Sequence, residues 1–391
     1  MLAIASGLAL TPLAPGCQPA GPPSATDGLT DPIHFSSVRA LADAIAKKRV
    51  SSEEVVTAFL DRIAAVNPKL NAVVQLDREG ALARARDMDA ALAKGNRVGP
   101  LHGIPMTIKD SLDTAGMITT GGTLGRKSFV PNVDATVVDR LRKAGAVLMG
   151  KTNTPELTLS FETTNLIYGK TSNPYDLTRT PGGSSGGAAA IVAAGGAPFD
   201  IGSDYGGSIR LPSNFSGVAG IKPSAGRVPR TGHIYPFGSI QDSFQQIGPI
   251  ARYVDDLSLL LPIISGPDFI DAGIVPLPWD DPAKTRMAGL RVAFHTDNGI
   301  ATPTPEIIAT VKAVADSLAA AKAVVTEARP TGIEQAMAVG LPMYFWDGGA
   351  TVRRLLKDAG TTETTLGGFA AGPSTSAEQV EQTLHTLDLW R

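Results

Sequence analysis

Two stretches, Thr180-Pro-Gly-Gly-Ser-Ser-Gly-Gly-Ala-Ala-Ala190 and Ile201-Gly-Ser-Asp-Tyr-Gly-Gly-Ser-Ile-Arg210, set serines among glycines, with Ser184 lying 24 positions before Ser208. Glycine lets a backbone turn tightly and approach a ligand closely. Gly206 and Gly207, just before Ser208, can therefore aim consecutive N–H groups at an oxygen beside its hydroxyl, which is an oxyanion hole in outline. Glycine and serine also dominate ordinary loops. Either stretch alone reads as a flexible turn; the pair reads as a hydroxyl nucleophile beside a hydroxyl relay.

A serine hydroxyl is a weak nucleophile at neutral pH and needs a base. The nearest candidate is Lys109, in Gly103-Ile-Pro-Met-Thr-Ile-Lys-Asp110, where Met106 to Ile108 read as a short, mostly apolar strand. Its amine either snorkels to water or is buried with a pKa depressed by as much as about 3 to 5 units. Only the buried, neutral form accepts a proton. Asp204 and Arg210 flank Ser208 and read as an ion pair or hydrogen-bonding support rather than as chemistry.

Together these segments resemble the amidase signature family of serine hydrolases. The likeness runs from about Phe35 to about Ala328 and includes Leu101-His-Gly-Ile-Pro105, Gly150-Lys-Thr-Asn153, Asn173-Pro174, Gly202 to Pro212 and Gly220-Ile-Lys-Pro-Ser224. It implies Lys109 as base, Ser184 as a relay preceded by a cis peptide bond, and Ser208 as nucleophile. The oxyanion donors would be backbone N–H groups of Tyr205, Gly206, Gly207 and Ser208, with Ser185, Asp204 and Arg210 in support. The implied fold is α/β, one large domain over residues 31–391 with a mixed twisted β-sheet covered by helices on both faces. The implied activity is hydrolysis of the C–N bond of neutral amides, with esters or carbamates as further substrates, through a Ser208 acyl-enzyme and without metal or organic cofactor.

The chain departs from the family pattern in two places. Tyr205 stands where a smaller or aliphatic residue is common, so a phenol would narrow or polarise the acyl pocket. The C-terminus ends at Leu389-Trp-Arg391 in a helical pattern, where the family continues with further strands, a Pro-containing loop and a glycine-rich run. The expectation is a domain lacking those strands, a loss that would expose apolar surface and could remove one wall of its pocket.

Other readings stay open. A glutamine-hydrolysing subunit of a tRNA-dependent amidotransferase carries the same motifs, and a noncatalytic binding relative could share the fold. Gly182-Gly-Ser-Ser-Gly186 formally fits the G-x-S-x-G elbow of α/β-hydrolases. That elbow needs a preceding strand, whereas Asn173 to Pro181 is turn-rich, and the later His233, His295 and His385 stand in no recognisable catalytic setting. His102, beside a Gly-Ile-Pro turn, reads as structural. Phe161, Tyr168, Tyr205 and Met343-Tyr-Phe-Trp346 are candidates for an apolar pocket or for ordinary core.

With 391 residues and 43% hydrophobic content, the chain can bury a large core. A formal net charge of −2 gives no electrostatic reason to expect nucleic acid or an anionic membrane, and no zinc spacing or dinucleotide fingerprint is present. The small-molecule substrate is what the family resemblance implies, and composition says nothing of oligomeric state. Ser51-Ser-Glu-Glu54 is a capping box opening a helix to near Val66, and Asp77 to Lys94 reads as a helix stopped by Gly95. Ala135 to Ala144 is a predicted helix before a strand at Val147 to Met149, and Gly187 to Ala194 a small-residue helix. Leu290 to Phe294 is a strand before a helix from Pro305 to about Ala323. This alternation indicates an α/β layered core.

Residues 1–30 read as a targeting segment or disordered linker. Leu2 to Leu13 is apolar but too short to span a bilayer, and Pro12 to Thr30 is rich in Pro, Gly, Ala and Ser. Cys17, the single cysteine, excludes an intrachain disulfide. Leu13-Ala-Pro-Gly-Cys17 resembles a bacterial lipoprotein cleavage box with an ill-fitting Pro15. Export with a lipid anchor at Cys17, export without one, and an untargeted tail in the cytoplasm all remain open.

Overall fold

Helix formation begins at serine caps. Ser37 Oγ accepts from Ala40 N–H to open α1 (Val38–Ala46), and Ser51 closes the expected capping box with Glu54 to open α2 (Ser52–Leu70). These elements belong to a computed structural model that describes Leu29 and residues 32–237, 244–344, 346–372 and 375–390. The expected leader, with Cys17, lies outside the described residues apart from Leu29. α2 runs one turn beyond the predicted end at Val66. Pro68 sits in its last turn, and Asn71 ends it in the left-handed conformation, a common helix stop. The Asn67 side chain then joins helix to strand, accepting from Ala72 and Val73 N–H and donating to the Val73 carbonyl.

The strands follow in chain order: β1 (Val73–Leu76), β2 (Pro105–Lys109), β3 (Val147–Thr152), the short hairpin β4 (Thr164–Asn165) and β5 (Gly169–Lys170), β6 (Phe199–Asp204), β7 (Ala219–Gly220), β8 (Gln246–Ala251), β9 (Arg291–Phe294) and β10 (Val324–Glu327). Six make one mixed sheet, ordered β1-β3-β2-β6-β8-β7. β2 runs parallel to both β3 and β6, while β1, β8 and β7 pair antiparallel to their neighbours. Every residue of β2, β6 and β8 is buried. Strands buried along both alternating rows require cover on both faces. The cover includes α3 (Arg78–Ala93) against β3, α5 (Gly186–Ala193) against β6 and β8 with α6 (Arg210–Phe215) packed on it, and α7 (Val254–Ile264) against β8, with α4 (Thr136–Lys143) packed on α7. One hydrophobic cluster, from Val38 to Ile264, fills the space between them.

Beyond the main sheet, β9 and β10 form a separate parallel pair, joined through α8 (Pro305–Ala320). The later helices, α9 (Ala336–Gly340), α10 (Ala350–Asp358), α11 (Gly367–Ala370) and α12 (Ala377–Trp390), follow. Val352, Leu356 and Leu366 bury themselves against Leu157 and Ile234. Buried Glu156 adds a polar anchor, accepting from Thr123 Oγ1, Thr364 Oγ1, Thr365 N–H and Thr365 Oγ1 at 2.7 to 2.9 Å. This docking places part of the C-terminal region beside the ends of β2 and β6.

Candidate active site

Lys109 ends β2, and Ser203 and Asp204 end β6, its parallel neighbour. The amine and the glycine turn therefore leave the sheet together at the carboxyl ends of parallel strands, where α/β sheets open their crevices. Of the two fates open to Lys109, the structure has burial: the side chain is 0% exposed. Its Nζ lies 2.6 Å from Ser184 Oγ and 2.9 Å from Ser203 Oγ. Burial lowers its pKa to about 7, against the opposing pull of Asp204 and Asp200. A large neutral fraction thus exists near neutral pH, as a base requires.

The Ser184 loop is fixed from several sides. The Gly183–Ser184 peptide bond is cis, as the resemblance implies. Thr163 Oγ1 donates to the Gly182 carbonyl and accepts from Gly186 N–H. Ser185 N–H donates to the Ser208 carbonyl, and Ser185 Oγ lies 3.3 Å from both the N and the carbonyl O of Ser203, so this residue ties the loop to β6 and to the second serine turn. α5 starts immediately afterwards. A Cβ on Gly187 would lie 2.5 Å from Asn153 N, so only glycine lets this helix pack so close behind Ser184.

Asp204 organises the turn carrying Ser208. Its carboxylate accepts from the N–H groups of Gly207, Ile209 and Arg210 and from the Arg210 guanidinium. Burial opposes ionisation, but the Arg210 hydrogen bonds, the Lys222 charge and the Ile209 N–H overcome it and hold this carboxyl well below the usual range. The supporting ion pair read from the sequence is therefore formed. One of the four expected oxyanion donors needs correction: Gly207 N–H is given to Asp204 Oδ1 at 2.9 Å. Gly206 and Ser208 keep N–H groups with no partner among the described residues. Gly207 instead supplies a φ of +132°, which L side chains avoid. Gly207→Val should thus distort the turn and lower kcat by roughly 10² to 10³, the loss assigned to one misplaced donor. A folded Gly207→Val variant with near-parental kcat would show that this turn does not bind the oxyanion.

Ser184, Ser203 and Ser208 open onto one cleft, lined also by Leu159, Tyr205, His233, Tyr235, Tyr344, Asp347, Val352 and Phe369. Tyr205 meets Tyr344 edge-on with ring centroids 4.6 Å apart, and Phe244 lies 5.7 Å away. The Tyr344 hydroxyl fills the space a Cβ on Gly206 would need. The aromatic wall expected from Tyr205 and Tyr344 is present. Phe161 and Tyr168 do not belong to it. Phe161 is exposed on its loop, and the Tyr168 hydroxyl is drawn aside to accept from Gln75 Nε2 on β1. Trp346 does not line the cleft, and Phe345 and the Met343 side chain lie outside what is described.

Two residues at the centre escaped sequence reasoning. Ser203 has a signal in retrospect, since it ends the strand paired beside the one that Lys109 ends. His233, read as lacking a catalytic setting, lies 8% exposed with Nε2 2.9 Å from Ser203 Oγ. Burial, with the nearby Lys109 charge, pushes its pKa down to about 3, so the ring is neutral. His102 is structural, as expected, accepting from Val98 N–H at Nδ1 and contacting the Met88 carbonyl through Nε2.

The sequence model of the Amidase family matches residues 54–387. A relative from Moorella thermoacetica, one of the subunits of its glutamyl-tRNA(Gln) amidotransferase, is 42% identical over 80% of this chain and 63% of its own length. An acylamidase of Rhodococcus erythropolis is 40% identical over 76% of this chain and 62% of its own. A fatty acid amide hydrolase structure superposes with a TM-score of 0.83 at 30% identity, covering 92% of this chain and 65% of that one. The chain thus spans less than two thirds of the length of each of these relatives.

Proposed function

The chain belongs to the amidase signature family, and on that premise we propose that it hydrolyses the C–N bond of uncharged amides through a Ser208 acyl-enzyme, with esters and carbamates as further substrates. The observation that carries this reading is the 2.6 Å contact between buried Lys109 Nζ and Ser184 Oγ, with Ser184 and Ser208 on the same cleft. In the forward step neutral Lys109 takes the Ser184 proton while Ser184 takes the Ser208 proton, and Ser208 Oγ bonds to the carbonyl carbon. The carbonyl π pair moves to oxygen, facing the N–H groups of Gly206 and Ser208. Its return breaks the C–N bond as the proton travels from Lys109 through Ser184 to the leaving nitrogen. Water then repeats the sequence on the acyl-enzyme and releases the acid.

Substrate charge follows from the cleft. Its described lining contains no lysine or arginine, while Asp204 and Asp347 both contribute to it. A substrate carboxylate would lose hydration there without gaining a cation, which is costly. An uncharged amide bearing an apolar group suits the Tyr205, Tyr344 and Phe369 surface better. A second reading, glutamine hydrolysis within an amidotransferase, is favoured by the name of the Moorella relative. The two readings separate on 4-nitroacetanilide and free glutamine. The expectation is a kcat/KM for the anilide at least about 100-fold above that for glutamine, whose carboxylate meets no cation in the cleft lining. Faster turnover of glutamine would replace the first reading by the second.

A further inference from the structure

Ser203 Oγ joins two side chains that the hydrolytic scheme leaves unconnected, Lys109 Nζ and His233 Nε2, each at 2.9 Å. All three residues are buried. The imidazole is held on its far side as well. Tyr235 N–H donates to Nδ1 at 3.1 Å, and the Gln245 amide nitrogen lies 2.9 Å from the same atom. The Tyr235 carbonyl is also 3.1 Å from Nδ1, but it accepts from Gln245 Nε2 at 3.0 Å. With two donors converging on Nδ1, the single ring proton of neutral His233 belongs on Nε2 and is given to Ser203.

A hydroxyl oxygen has two lone pairs and one proton. His233 Nε2–H occupies one lone pair of Ser203 and an N–H of Lys109 occupies the other. The Ser203 proton is then left towards the cleft, which Ser203 lines. A neutral amine has two N–H bonds and one lone pair, and with one N–H given to Ser203 its lone pair can face Ser184. We infer that His233 is a positioning residue for the reaction: by holding Ser203 as an acceptor, it keeps the Lys109 lone pair free for the proton of Ser184. The inference rests on the acyl-transfer reading of Lys109, Ser184 and Ser208. Without the imidazole, the Ser203 hydroxyl can rotate and give its own proton to Lys109. The base would then be engaged by a hydroxyl that leads to no substrate. The charged groups acting on this unit are Asp200 and Asp204 around Lys109, and Lys109 and Arg230 around His233.

The test is a double-mutant cycle through Ser203 with 4-nitroacetanilide as probe. His233→Leu should lower kcat about tenfold or more with KM little changed, the scale of a buried hydrogen bond that orients a reacting group. His233→Gln, whose side-chain N–H reaches the Nε2 position, should recover most of that loss. In a Ser203→Ala background, His233→Leu should cost no more than about twofold, because the hydroxyl it controls is gone. A loss of equal size in both backgrounds, or a Gln variant as slow as the Leu variant, overturns the inference. Should the Leu variant fail to fold by near-UV circular dichroism, Gln and Asn decide. Gln retaining activity while the shorter Asn loses it supports the inference, and equal activities overturn it. Anilide hydrolysis that persists in Ser208→Ala overturns the acyl-transfer reading and this inference with it. Hydrolysis that needs Ser208 but shows no coupling between His233 and Ser203 overturns the inference alone.

Discussion

Ser208→Ala is expected to remove amide hydrolysis almost completely, with kcat for 4-nitroacetanilide lower by at least about 10⁴-fold, the scale on which nucleophile deletions act in serine hydrolases. The fold should survive. Ser208 lies at the cleft, and its Oγ has no hydrogen-bond partner among the described residues, so deleting it strands no buried group. The loss should therefore appear in kcat with an unchanged far-UV spectrum and a melting temperature within a few degrees of the parent. An Ala variant that keeps a tenth of parental activity would show that another group attacks the carbonyl.

Lys109→Ala should have the next largest effect, and its signature is selective. Protonating the leaving nitrogen is indispensable for an amide and dispensable for an activated ester. The variant should therefore lose at least about 100-fold more activity towards 4-nitroacetanilide than towards 4-nitrophenyl acetate, within the range of one general acid–base catalyst. The pH profile supplies a second mark. Because burial lowers Lys109 to about 7 and the neutral amine is the base, the parental rate should rise as pH increases through about 7. That limb should vanish in the variant. Asp200, whose burial raises its carboxyl to about 6, titrates nearby and would leave a limb in place if it were the group observed. Equal losses on both substrates with the limb retained would remove Lys109 from the chemistry.

What could be read from the sequence and what could not divide along physical lines. The serine turns were legible because glycine is needed where backbone must come close, as at Gly187, or adopt positive φ, as at Gly207. The alternation of helices and strands followed from caps and periodicity, with boundaries a few residues off: α2 continued to Leu70 because Asn71, rather than the residues near Val66, provides the left-handed stop. The fate of Lys109 could not be settled from its strand alone, since snorkelling and burial place the same residue at the same position. Burial depends on β3 and β6 flanking β2, a matter of sheet order.

Long-range contacts account for the rest. His233 reaches Ser203 from a loop 30 positions away, and no local pattern announces that contact. Gly207 was expected to direct its N–H at substrate, but a carboxylate three residues earlier accepts it. Phe161 and Tyr168 have the composition of pocket residues and none of the placement. The wall supplied by Tyr344, Asp347, Val352 and Phe369 depends on the C-terminal region docking through Glu156 and the Leu157 cluster. Its threonines and small apolar residues resemble any surface-facing stretch until the partner is known.

The central claim is that acyl transfer passes through Ser208, with Ser184 relaying its proton to Lys109. Trapping the intermediate tests it most directly. The protein is mixed with excess 4-nitrophenyl acetate, quenched in acid within the first turnovers and digested, and the acetylated peptide is sequenced by mass spectrometry. The account predicts one acetyl group, on Ser208, absent from Ser208→Ala and formed more slowly in Ser184→Ala. An acetyl group found on Ser184, or acetylation of Ser208→Ala at the parental rate, would contradict it.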